Sequence, residues 1–81
     1  MSDAKEVGRI VKAIMPLLAG KDGGIQGAVL AELVAIWQAG HHPDFRDTNL
    51  DLWLETVRAL TPLCEMEIFG PQGFPMAEKL T

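Results

Sequence analysis

Apolar positions recur at three- and four-residue steps through most of this chain, the spacing that places side chains on one face of a helix. Val7, Ile10, Val11, Ile14 and Leu18 form the first such stripe, within residues 3–19. Lys5, Arg9 and Lys12 fall together on the opposite side. Ser2 or Asp3 caps the start and Gly20 ends the helix. Pro16 conflicts with this pattern, because a proline inside a helix removes a hydrogen bond and crowds the preceding turn. A kink is expected there, or a break that starts a short second segment.

Residues 20–24, "GKDGG", hold three glycines in five positions and read as a loop. The glycines and Lys21 do not have phosphate-loop spacing, and a helix, not a strand, precedes them. Residues 25–39, "IQGAVLAELVAIWQA", form the clearest helix. Ile25, Val29, Leu30, Leu33, Val34, Ile36 and Trp37 cover about half of its circumference. Gly27, Ala28, Ala31, Ala35 and Ala39 make the other half, and Glu32 is its one charge. Alanine is a good exposed helix former. A helix with so little charge is nevertheless poorly suited to water, and the small face invites close approach by another helix.

A third helix is expected over about 48–60, with Leu50, Trp53, Leu54, Val57 and Leu60 as its apolar stripe, Cys64 extending it, and Thr48 and Asp51 in a weakened capping box. Glu55 and Arg58 can pair on the far side. Pro62, after Thr61, suits the start of a separate short helix over 62–68. Residues 70–81 carry two prolines and two glycines and read as an irregular tail. Phe74, Met76 and Leu80 give that tail apolar anchors. No internal repeat is present, and no heptad pattern is long enough for a coiled coil.

The expected fold is therefore all-α: a small bundle or orthogonal array of three main helices, with a short fourth helical turn and an irregular C-terminal tail. Residues 1–69 form a single helical domain and residues 70–81 the tail. The expected core is Val7, Ile10, Val11, Ile14, Leu18, Val29, Leu30, Leu33, Trp37, Leu50, Trp53, Leu54 and Val57.

At 81 residues this is one small domain, a size at which folding buries about 60% of the unfolded chain's surface and the stability margin is narrow. Cys64 is the sole cysteine, so no disulfide within the chain can widen that margin, and self-association or good helix packing must do so. A lone cysteine suits a reducing compartment. The N-terminus shows no signal-peptide core, no apolar run approaches a membrane span, and a cytoplasmic protein is expected. The net charge of −4 argues against general affinity for nucleic acid or anionic membrane.

The densest chemistry lies in "AGHHPDFRD", residues 39–47. His41, His42, Asp44 and Asp47 are weak candidates for a metal site. Adjacent histidines diverge, and neither an H-E-x-x-H motif nor a cysteine partner completes the set. The same residues read readily as a connection. Gly40 ends one helix, Pro43 starts the next with His42 as its cap, Asp44 and Asp47 favour a helix start, and Phe45 pins the turn. Cys64 with a histidine has the residue types of a thiol nucleophile, but its place on an apolar stripe predicts a buried, inert thiol. The acidic start of the third helix would repel phosphate and argues against a helix-turn-helix reading.

No cofactor and no catalytic residue is expected. The reading that fits best is a non-enzymatic helical interaction module, forming a homo-oligomer, most simply a dimer, or binding another protein. Its contacts are Gly27, Ala28, Ala31 and Ala35 on the second helix, with Phe74 and Met76 in the tail. A small metal- or ligand-binding protein built on residues 41–47 and a nucleic-acid-binding helical domain are the alternatives.

Overall fold

The computed structural model describes residues 2–76. The fold is all-α: three helices, α1 (Ser2–Leu18), α2 (Gly23–Ala39) and α3 (Pro43–Phe69), with no strand among the described residues. Contacts divide the chain into two units, residues 1–37 and 38–81.

In the first unit, α1 runs unbroken through Pro16 and ends two residues later. Of the two alternatives at Pro16, the break that would start a second segment does not form. Proline is tolerated here because little helix remains beyond it, so only the Lys12 carbonyl loses its usual donor. The helix stops at Gly20, whose φ of 78° is left-handed and favours glycine. The Leu18 carbonyl, left over at this end, accepts from Lys21 N–H at 3.1 Å and from Gln26 Nε2 at 2.8 Å. Asp22 then opens α2, accepting the Gly24 N–H on Oδ2 at 2.9 Å. The helix thus begins inside "GKDGG", two residues before Ile25. An aspartate cap satisfies an orphan N–H and makes two glycines acceptable in the first turn.

In the second unit, α3 is one continuous helix from Pro43 to Phe69, with Pro62 inside it. The separate short helix over 62–68 is part of α3, and Thr48 and Asp51 lie within the helix instead of capping it. Pro62 leaves the Arg58 carbonyl without its usual donor, and just before it Thr61 donates Oγ1–H to the Val57 carbonyl at 2.7 Å. Gly70 ends the helix with φ 84° and ψ −171°, a region reserved largely for glycine, and donates its N–H to the Met66 carbonyl at 2.7 Å.

Neither unit encloses a core. No described residue is buried. Of the expected core, Ile14, Leu18, Leu50, Trp53 and Leu54 are half-buried. Val7, Ile10, Val11, Val29, Leu30, Leu33, Trp37 and Val57 are exposed, Val7 at 60% and Leu30 at 48%. The helical spacing of these residues is as read from the sequence. Their burial within one chain is not.

Candidate interaction surfaces

Each surface is set by how a helix ends. The last turn of α2 contains no basic residue, and Gly40 is not left-handed, so the carbonyls at this end need another donor. Arg46 supplies it. Its Nε donates to the carbonyls of Gln38 at 3.1 Å and His41 at 3.0 Å, and its Nη2 to that of Ala39 at 3.1 Å. Gln38 reciprocates, donating Nε2–H to the Arg46 carbonyl at 2.8 Å, while its own Oε1 is enclosed without a partner. A planar cation at the negative end of a helix satisfies hydrogen bonds and the helix dipole together.

His42 is the N-cap of α3. Its Nδ1 accepts the Asp44 N–H at 3.1 Å, and Pro43 occupies the first helical position. The Asp44 carboxylate lies 3.8 Å from the same nitrogen. The cap requires Nδ1 as an acceptor, so that atom carries no proton when the bond forms. Phe45 does not pin the turn by burial: it is 61% exposed, with its ring in an edge-type contact with the His42 ring, centroids 5.8 Å apart. Asp44 and Asp47 are exposed and His41 is half-buried. Among the described residues no three His, Cys, Asp or Glu side chains come together as a metal would require. Residues 38–46 form a structural joint.

Cys64 is exposed, not buried. It lies on the same helix that His42 caps, 22 residues further along, about 33 Å at the helical rise. A thiol–imidazole pair between them is therefore ruled out by distance. On α1, the middle cation of the basic row is engaged, because Arg9 pairs with Glu6.

α2 has apolar or small residues around its whole circumference, with Glu32 its one charge. Its large side chains other than the half-buried Val34 are open, as are its small ones: Gly27, Ala28, Ala31 and Ala35 are exposed, and beyond the neighbouring helix backbone no atom lies within 4 Å of where a Gly27 side chain would begin.

The C-terminal half of α3 carries a second surface. Residues 70–73 turn back, with Gly73 N–H on the Gly70 carbonyl at 3.1 Å and Pro71 in the turn position it favours. Phe74 then reaches α3. Its N–H donates to Glu65 Oε2 at 2.7 Å, and its ring meets that of Phe69 edge-on at 5.3 Å. Between this tail and the helix lies an open groove of about 550 Å³, lined mainly by apolar side chains from Val57 to Phe69 and by Phe74, with Thr61 and Glu65 among them. Phe74 and Met76 remain 55% and 47% exposed. Leu80 lies outside the described residues.

Sequence reasoning missed Arg46, Gln38 and Glu65. A helix end lacking its own cation, followed closely by one arginine, is the signal for the first. Glu65 leaves no comparable signal, because its role depends on the return of the tail.

No protein-family model, curated protein or solved structure matches the chain. Among the described residues no helix is long and apolar enough to cross a membrane.

Proposed function

We propose that this chain is a non-enzymatic helical interaction module that self-associates, most simply as a two-fold dimer, with α2 at the interface. The observation that carries the reading is α2 itself: a helix apolar on every side, with its large face and its small face both exposed. A helix of that composition belongs in an interior, and neither unit encloses one among the described residues. Obligate homodimers resemble a core divided between two copies and often have no stable folded monomer. A small-residue row lets helix axes come close, and Gly27, Ala28, Ala31 and Ala35 provide one. Phe74 and Met76 add apolar contact area in the second unit.

Light scattering of the purified chain at micromolar concentration tests the proposal. A mass of at least twice 8.8 kDa supports it, and a monomer at every concentration rejects it. The lone cysteine suits a reducing compartment, and we place the module in the cytoplasm. A tagged chain recovered from a membrane or secreted fraction contradicts that placement.

A further inference from the structure

Because α3 continues through Pro62, its apolar stripe does not stop at Leu60. Leu50, Leu54, Val57, Thr61, Cys64 and Ile68 fall on one face of a single helix. The stripe is half-buried at Leu50 and Leu54 and exposed from Val57 onward. Its exposed part has a small centre, Thr61 and Cys64, between larger ends, Val57 and Ile68. Arg58 and Glu65, seven residues apart, lie along the same edge of this stripe. Arg58 is exposed and forms no ion pair among the described residues. Glu65 uses only Oε2 to hold the Phe74 N–H.

We propose that the groove takes the same segment of a second copy, running antiparallel about a two-fold axis. This rests on the reading of the chain as a self-associating module and supplies a register for it. In that arrangement Thr61 faces Cys64 of the second copy and Val57 faces its Ile68, so small residues meet at the centre and the axes approach closely. An antiparallel pair brings each edge against its own equivalent. Arg58 therefore comes opposite Glu65 of the second copy, and two-fold symmetry repeats the pair with the roles exchanged. The other edge brings Leu60 beside Glu67 of the second copy, so like charges meet on neither side. A parallel pair would set Arg58 and Glu65 against Trp53 and Leu60, and no ion pair would form. The charge pattern thus selects a second copy and its direction.

The test uses two full-length variants, Arg58→Glu and Glu65→Arg, whose helicity is first checked by circular dichroism. Each variant alone opposes like charges at both symmetric contacts, whereas a mixed pair of the two restores opposite charges at both. Sedimentation at matched micromolar concentrations should show each variant's self-association weakened on the order of tenfold or more. The one-to-one mixture should recover to within a few-fold of the unsubstituted chain. A short thiol-to-thiol linker should also join two unsubstituted chains through Cys64. An oligomeric chain whose variants, alone and mixed, associate equally overturns the register and leaves self-association standing. A mixture no tighter than its components does the same. A monomeric unsubstituted chain overturns both.

Discussion

Gln38 and Arg46 hold each other in both directions: Arg46 Nε donates to the Gln38 carbonyl at 3.1 Å, and Gln38 Nε2 donates to the Arg46 carbonyl at 2.8 Å. The exchange ties residues 38–41 to the first turn of α3, and two further carbonyls, of Ala39 and His41, join it through the same guanidinium. Replacing Arg46 by Met removes the donors while keeping much of the side-chain stem. Hydrogen bonds to a charged group contribute about 1.5–3 kcal/mol, so a loss of about 1–3 kcal/mol is expected in denaturant unfolding at fixed protein concentration. Lysine at position 46 should rescue little, because an ammonium lacks the planar fork. Full rescue by lysine would reduce the role of Arg46 to charge alone.

The His42 cap is tested separately. His42→Ala removes the acceptor of the Asp44 N–H and should destabilise α3 by about 0.5–2 kcal/mol, while His42→Asp or His42→Ser, which present an oxygen at the same position, should keep most of that stability. Equal stability of the alanine and aspartate variants would show that the imidazole does not act as a cap.

This joint was partly legible in the sequence. Proline after a polar residue marks the start of α3, and His42 and Pro43 take the positions that this pattern assigns. Gly40 suggested a left-handed helix end by residue type alone, and the structure ends α2 through Arg46 instead. Pro62 misled in the opposite way. Its local preference favours a new helix, but α3 continues through it with one backbone hydrogen bond fewer. Apolar spacing located the helices well. It could not reveal that the stripes stay open, since periodicity shows which residues share a face and not what covers it.

Pro62 accordingly remains a local weakness. In the interior of a helix proline is about 3 kcal/mol less favourable than alanine. Pro62→Ala should raise the helicity and melting temperature of α3, as read by circular dichroism. A lower melting temperature would mean that the proline sets a bend on which the assembly depends.

Gly73 tests the latch on the tail. Its φ is 75°, and a Cβ there would lie 2.7 Å from Glu65 Oε2. Gly73→Ala should release Phe74 from Glu65 and speed exchange of the Phe74 amide hydrogen, with little effect on amides in α1. Unchanged protection of that amide would show that the hydrogen bond does not persist in solution.

Gly27 separates helix propensity from assembly. Open space surrounds it in the chain alone, and glycine is about 1 kcal/mol less favourable than alanine in a helix. For an isolated chain, Gly27→Leu should be neutral or stabilising. Where that face packs closely against a second copy, the same change should weaken association severalfold with helicity retained. Association unaffected by leucine would remove the small face from the interface.

The central claim is that this chain completes its core only with another copy. Thermal unfolding followed by circular dichroism over a hundredfold range of concentration tests this most directly, because binding restricted to the folded state makes Tm depend on concentration. The account predicts a Tm that rises with concentration, together with loss of helix on dilution as sedimentation shows the oligomer dissociating. A cooperative transition at the same Tm throughout, from a species of 8.8 kDa, would contradict it.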